Sequence, residues 1–187
     1  FASRPWSPPV GHVPLANRQA FYATVCKDSI PKASLLPAST PMDPETKAKI
    51  ARQFIEAIPF SRALNMKLDE IGNGVAMISM PYDERLIGDA HRGVIHGGAI
   101  SALMDTCGGA AVVSHPESPG GTATIDLRID YMRAATPYSR IIARAECYHI
   151  TRSVAFVSAV ALNEGEKAPI ATAKGAFTVD LSRKGKG

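Results

Sequence analysis

The sequence predicts an α+β fold in which one long buried helix packs against five or six antiparallel strands. Residues 97–113 are almost all small or apolar, and Asp105 is the only charged residue among them. A helix that is apolar on every side is a buried helix. Residues 124–132 alternate between apolar and polar side chains, which is typical of a strand. One such helix with a run of strands is an α+β layer architecture.

The N-terminal part of the chain differs from this core. Residues 1–41 are rich in proline and show no periodicity, so we expect a mostly irregular extension. Met42 resembles a natural start, which favours an extension that is not native. Residues 1–27 contain no acidic residue, a feature of organellar transit peptides. A cytoplasmic protein is expected, with an organellar matrix as the alternative if the extension is a transit peptide.

The main domain is expected to span residues 42–181, followed by a basic tail over 182–187. Asp43 and Pro44 are suited to the N-cap and first position of a helix, which is expected to end at Pro59. Further strands, turns and loops are expected in order along the chain. They are strands over 64–68, 75–80, 124–132, 141–150, 153–162 and 169–180, a turn at 72–74, and loops over 81–91 and 116–121.

Composition excludes several classes of protein. The net charge of +4 is too diffuse to indicate a nucleic-acid partner but is compatible with an anionic ligand. No apolar run is long and charge-free enough to span a membrane. The three cysteines form no motif, which favours a reducing compartment. The histidines do not combine with carboxylates or cysteines at metal spacing, and no nucleotide motif is present, so no metal or other cofactor is implied.

The start of the buried helix is the first candidate site. His96 is followed by Gly97 and Gly98, which let another group approach the backbone closely. The free N–H groups of a helix start point outward with the positive end of the dipole behind them. Such groups are suited to stabilising an oxyanion.

Asp105 is the second candidate, because a charge within an apolar helix is costly. His96 and Asp105 are nine residues apart. Nine steps of a helix rotate by about 180° from the starting face and rise roughly 13–14 Å. One helix therefore cannot easily bring both groups to one small carbonyl, whereas two antiparallel copies can. We expect an active site shared between two protomers, with a homodimer as the smallest unit and a homotetramer as a further possibility.

The spacing His96-Gly97-Gly98, six residues, Asp105, followed by a strand with Thr124-Ile125-Asp126-Leu127, resembles the phenylacetate-pathway (PaaI-like) acyl-CoA thioesterases. The resemblance implies a hotdog fold, in which a sheet wraps around the long helix, and hydrolysis of an acyl-CoA to a carboxylic acid and free CoA. It implies Asp105 as general base or nucleophile, and Thr124 as a hydroxyl near that carboxylate. The role of His96 stays open between orienting the loop and contacting the thioester.

The resemblance also suggests residues that contact the substrate. The family often has an asparagine six residues before the histidine, but Ala90 stands there, and the neighbouring His91 is a candidate substitute. Arg133, Arg152 and Ser153 lie where the family meets the CoA phosphates. Two alternatives remain: a hotdog enoyl-CoA hydratase or dehydratase, and a non-catalytic acyl-CoA binding module.

Overall fold

The computed structural model describes residues 58–118 and 121–179. The predicted extension over 1–41, the helix expected to begin at Asp43 and the basic tail over 182–187 lie outside the described residues. The elements of the described part are two α-helices, one 3₁₀ turn and eight strands. In chain order they are α1 (Pro59–Ala63), β1 (Lys67–Gly72), β2 (Val75–Met80), the 3₁₀ turn (Glu84–Leu86), β3 (Ile87–Asp89), β4 (Val94–Ile95), α2 (Gly97–Val113), β5 (Thr124–Tyr131), β6 (Ile141–Ile150), β7 (Val154–Asn163) and β8 (Pro169–Thr178).

Six of these strands form one antiparallel sheet in the order β1-β2-β6-β7-β8-β5. The long helix α2 packs against one face of this sheet. β3 and β4 form a separate two-stranded antiparallel ribbon. The predicted α+β class, the central helix and the six-stranded antiparallel sheet are confirmed.

Small residues let α2 lie close to the sheet. The buried face of the sheet is rich in alanine: Ala76, Ala143, Ala145, Ala155, Ala159, Ala161, Ala171 and Ala173. On the helix, a Cβ at Gly108 would lie 2.8 Å from the Phe177 ring, closer than carbon atoms can pack. Cys107 beside it donates weak Sγ hydrogen bonds to the Ala76 and Ala143 carbonyls, and burial raises the pKa of its thiol to about 12. Cys107 is therefore an inert core residue.

The beginning of the described chain differs from the prediction. A short helix that was not expected, α1, begins at Pro59, because proline suits the first helical position. Leu64 and Met66 are buried, but they precede β1, which begins at Lys67. The hairpin turn after β1 is confirmed: Asn73 and Gly74 have φ values of 52° and 80°, the left-handed conformations that tight hairpins use.

The predicted loop over 81–91 is partly regular, since it contains the 3₁₀ turn and β3.

The alternation predicted for 124–132 also needs correction at its first residue. The pairing of β5 with β8 shifts between Thr124 and Asp126, which makes Ile125 the extra residue of a β-bulge. The shift places Thr124 on the same side as Leu127, facing the helix, whereas simple alternation would place it on the opposite side.

No helix within residues 58–118 and 121–179 has the length and apolar character needed to cross a membrane. Within the same residues, no group of three or more His, Cys, Asp or Glu side chains is arranged to hold a metal ion.

Candidate active site

His96 caps the start of α2, which begins at Gly97 as predicted. Its backbone is extended, with φ of −61° and ψ of 134°, and its Nδ1 accepts a hydrogen bond of 2.9 Å from the Gly98 N–H. A ring nitrogen that accepts a hydrogen bond carries no proton. The neutral imidazole therefore carries its proton on Nε2, which makes that nitrogen a donor.

The surroundings of His96 fix its position. Its backbone N–H donates to the Leu86 carbonyl at 2.8 Å. A Cβ at Gly88 would lie 2.9 Å from the His96 Cα and 3.0 Å from the ring atom Cδ2, so only glycine lets β3 pass this close. The backbone, the ring and the Nδ1 of His96 each contact a neighbouring residue, so the orientation of the imidazole is fixed.

The two predicted oxyanion donors are not equivalent. The Gly98 N–H is occupied by His96 Nδ1, and a Cβ at Gly98 would lie only 2.9 Å from that nitrogen. For the Gly97 N–H, no acceptor is found within the described part of the chain. Gly97 is thus the better placed of the two to donate to a bound ligand.

An open pocket of about 340 Å³ adjoins the helix start. Its lining is mostly apolar: Phe60, Leu64, Leu86, Ile87 and Ala99, together with Arg85, His96 and Gly98. Arg85 forms an ion pair with Asp83, and its hydrogen bonds lower the pKa of that carboxyl. Because the charge of Arg85 is already balanced, the pocket is suited to an apolar group beside a polar helix start.

Asp105 lies in the middle of α2 and is half-buried, less than the full burial that the apolar helix predicts. The Thr124 hydroxyl donates to its Oδ1 at 2.7 Å. Thr124 reaches the helix because of the bulge at Ile125, which turns its side chain inward. Among the described residues, no donor to the other carboxylate oxygen, Oδ2, is found, which leaves that oxygen for a further donor such as water.

Tyr131, at the other end of β5, was not predicted as a site residue. Its hydroxyl donates to the Gly97 carbonyl at 2.6 Å and lies 2.7 Å from the Ser101 Oγ. The Ser101 hydroxyl is also 3.2 Å from the same carbonyl. Alternation along β5 places Tyr131 on the helix side, but nothing in the sequence indicates which helix residue it meets.

The described chain thus carries two polar clusters on α2. One is the helix start with His96, Gly97 and Tyr131, and the other is Asp105 with Thr124. Gly97 and Asp105 are separated by roughly 12 Å of helix rise. No hydrogen bond joins the two clusters among the described residues.

Among the described residues, no hydrogen bond joins the side chains of the remaining predicted ligand residues to either cluster. His91 is exposed in the turn between β3 and β4, where its N–H donates to the Asp89 carboxylate at 3.1 Å. Arg152 and Ser153 are exposed in the turn between β6 and β7. Their predicted contacts with substrate stay predictions.

Arg133 already has partners in the protein. Its Nη2 donates to Glu166 Oε2 at 2.6 Å and to the Ala168 carbonyl at 2.7 Å, and its Nη1 lies 3.3 Å from Asn163 Oδ1. These bonds tie the segment after β5 to the hairpin between β7 and β8. A phosphate would have to compete with Glu166 for this guanidinium.

Comparison with known proteins agrees with this architecture. Residues 92–170 match the family model of the thioesterase superfamily. The medium/long-chain acyl-CoA thioesterase YigI of Escherichia coli is 27% identical over 143 residues, which cover 70% of this chain and 91% of YigI. A crystal structure of a Pseudomonas aeruginosa protein is 35% identical, with a TM-score of 0.62, covering 70% of this chain and 96% of that one.

The PaaI protein from the phenylacetic acid degradation operon of Escherichia coli shares the fold. It is 20% identical, with a TM-score of 0.63, and the match covers 71% of this chain and 92% of PaaI. The chain belongs to the thioesterase superfamily, and the hotdog fold implied by the resemblance to PaaI-like proteins is confirmed.

Proposed function

We propose that this protein is an acyl-CoA thioesterase with Asp105 as the general base or nucleophile. The observation that carries the assignment is a single carboxylate within an otherwise apolar helix, held by the Thr124 hydroxyl in a chain of the thioesterase superfamily. The similarity to YigI, an acyl-CoA thioesterase, supports CoA as the thiol.

The helix start would polarise the thioester carbonyl. Attack on a thioester places negative charge on the carbonyl oxygen, and preorganised donors stabilise that charge. The Gly97 N–H, at the positive end of α2, is one such donor. The His96 Nε2–H is a second, because Nδ1 is occupied by the Gly98 N–H and the ring lines the pocket.

Asp105 would supply the attacking group. As general base it removes a proton from water through Oδ2, while Thr124 holds Oδ1. As nucleophile it attacks the carbonyl itself and forms an anhydride that water then hydrolyses. Either way, water supplies a hydroxyl to the acyl carbon and a proton to the CoA sulfur, and the carbon–sulfur bond breaks.

A complete site would need two protomers. The helix start at Gly97 and Asp105 of one chain lie about 12 Å apart along the axis of α2, too far for both to contact one small carbonyl group. Two copies related by a two-fold axis can pair the helix start of one with the Asp105 of the other. We therefore propose a homodimer of the domain over 42–181 as the minimum catalytic unit, with a homotetramer as a larger possibility.

The pocket beside the helix start would receive the acyl group. Its apolar lining favours acyl groups without charge, and its volume of about 340 Å³ is within the range of small-molecule sites. His91, Arg152 and Ser153 are exposed and remain candidates for the CoA end of the substrate. Arg133 is a weaker candidate because Glu166 already binds it.

The test is thiol release from a panel of short, medium, long and aryl acyl-CoAs. The proposal expects catalytic turnover of at least one uncharged acyl-CoA. Binding of acyl-CoAs without thiol release across the whole panel would instead indicate a binding module.

His96 offers a prediction that separates capping from carbonyl activation. In His96→Asn the amide oxygen can still cap Gly98, since asparagine is a favoured N-cap, but the Nε2 donor is lost. We expect stability within about 0.5 kcal/mol of wild type and a fall in kcat of at least about tenfold. His96→Ala should lose the cap as well, at a cost of about 1 kcal/mol. Chemical denaturation and steady-state kinetics measure the two effects; wild-type kcat in His96→Asn would limit His96 to capping.

Phe60 offers a test of the acyl pocket. Its side chain is 61% exposed at the pocket, so its removal should cost little stability. Phe60→Ala removes apolar surface that an acyl group would cover, worth about 1 kcal/mol of binding, which is roughly fivefold in KM. We expect KM to rise for longer acyl-CoAs more than for acetyl-CoA. Tyr148→Ala, another exposed aromatic, is the matched control, and an equal effect in both variants would exclude the pocket as the acyl site.

A further inference from the structure

We propose that Tyr131 and Ser101 are positioning residues, which act through the Gly97–Gly98 peptide to fix the tautomer and direction of His96. The inference rests on the proposed thioesterase site and adds two residues to it. It starts from the hydrogen bonds that link β5, the first turn of α2 and the imidazole.

The contacts form a continuous chain. Ser101 Oγ lies 2.7 Å from the Tyr131 hydroxyl, which lies 2.6 Å from the Gly97 carbonyl oxygen. That carbonyl belongs to the same peptide group as the Gly98 N–H, which donates to His96 Nδ1 at 2.9 Å. The chain ends at His96 Nε2, on a ring that lines the pocket.

The Gly97 carbonyl determines the direction of the hydrogen bond that it shares with Tyr131. A carbonyl oxygen only accepts, so the Tyr131 hydroxyl must donate to Gly97. The proton of the Tyr131 hydroxyl is then used in that bond. The Ser101 hydroxyl can donate to the Tyr131 oxygen at 2.7 Å or to the Gly97 carbonyl at 3.2 Å, and either bond supports the same carbonyl. At the other end the Gly98 N–H only donates, so His96 Nδ1 must accept and Nε2 must carry the proton. All donors point the same way, toward a protonated Nε2.

Aligned hydrogen bonds strengthen one another, by roughly 10–30% per bond. A donor on the Gly97 carbonyl polarises its peptide group and makes the Gly98 N–H a stronger donor. A stronger bond to Nδ1 holds the tautomer and makes Nε2–H a better donor to the thioester oxygen. Tyr131 would therefore act on the reaction without touching substrate.

The environment of Tyr131 favours this role over simple packing. The side chain is 48% exposed on β5, at the end of the sheet order, and does not belong to the buried core. Its ring is placed against the helix start, 3.3 Å from where a Cβ at Gly97 would lie. A phenylalanine at position 131 would make the same apolar contact with the helix start. The contact therefore does not explain the Tyr131 hydroxyl, whereas its hydrogen bond to the Gly97 carbonyl does.

Kinetics provide the first test. Tyr131→Phe should lower kcat about three- to tenfold, the effect of one neutral hydrogen bond, with KM within about twofold of wild type. Ser101→Ala should give a smaller fall in kcat. Tyr148→Phe, which removes a hydroxyl from a tyrosine of similar exposure on β6, should leave kcat unchanged. Unchanged kcat in Tyr131→Phe would overturn the proposal.

A double-mutant cycle tests whether Tyr131 acts through His96. In a His96→Asn background, Tyr131→Phe should lower kcat no further, because the group it positions is absent. If the fold-reductions in kcat caused by the two substitutions multiplied in the double variant, Tyr131 would act independently of His96. That result would contradict the proposed positioning of His96 by Tyr131.

The imidazole nitrogens give a readout that does not depend on activity. Long-range ¹H–¹⁵N spectra, with His96→Asn to assign the signals, should show Nε2 protonated and Nδ1 unprotonated in the wild type. The double variant Tyr131→Phe/Ser101→Ala should move both nitrogen shifts toward a tautomer mixture. Unchanged nitrogen shifts in the double variant would overturn the proposed positioning of His96 by Tyr131 and Ser101. If the wild type released no thiol from any acyl-CoA, the proposed function would fail. The spectra would still show whether Tyr131 and Ser101 fix the tautomer of His96.

Discussion

Asp105→Asn is expected to lower kcat by at least about a hundredfold while leaving the fold intact. General acid–base assistance contributes typically about 10²–10⁴-fold, and an amide cannot supply it. The substitution keeps the shape of the side chain, and its amide oxygen can still accept the Thr124 hydroxyl bond that Asp105 Oδ1 accepts at 2.7 Å. Since that contact survives, folding should not suffer. Thiol-release kinetics and thermal unfolding measure the two properties on the same sample.

A matched control removes a carboxylate that lies on β5 instead of α2. Asp130 is exposed and pairs with Arg128 at 3.2 Å, an ion pair of little energetic consequence. Asp130→Asn should therefore keep wild-type turnover. Near wild-type kcat in Asp105→Asn would remove Asp105 from the mechanism, whereas a variant that failed to fold would favour a structural role for it.

Gly97→Pro is expected to abolish turnover on its own and to regain activity when mixed with Asp105→Asn. Proline removes the Gly97 backbone N–H, for which no acceptor is found among the described residues. The helix should survive, because Gly97 is the first helical residue and His96 before it has a ψ of 134°, compatible with a following proline. Gly97→Ala is the control, since it adds the same Cβ near the Tyr131 ring but keeps the N–H.

In a two-fold dimer, each site would take its helix start from one protomer and its Asp105 from the other. A heterodimer of the two variants would then contain one site with both defects and one with neither. Activity should return after subunit exchange, at up to about half the wild-type level per heterodimer. Verified, folded heterodimers that stay inactive would contradict the shared site.

The sequence predicted the features that depend on local patterns. The apolar run over 97–113 gave the helix bounds, because His96 is a cap and the glycines after it suit a helix start. The strands β2 and β6 begin and end where predicted. For β2, the glycine-rich turn before it and Pro81 after it mark both ends in the sequence. The contact between Thr124 and Asp105 was expected from the family resemblance and is present in the structure.

The features that the sequence did not predict depend on contacts between distant residues. The bulge at Ile125, which turns Thr124 inward, is a property of the pairing between β5 and β8. Tyr131 reaches Gly97 across thirty-four positions of sequence, and no local pattern specifies that contact. The glycine at position 88 is explained only when β3 is seen to pass against the His96 ring.

The most direct measurement of the central claim is the balance of products from one acyl-CoA. Wild-type protein should convert the best substrate of the panel into equal amounts of CoA thiol and free carboxylic acid over many turnovers, and Asp105→Asn should not. The same experiment with crotonyl-CoA follows the enoyl absorbance separately from thiol. Loss of enoyl absorbance without thiol release would indicate a hydratase and would contradict the account.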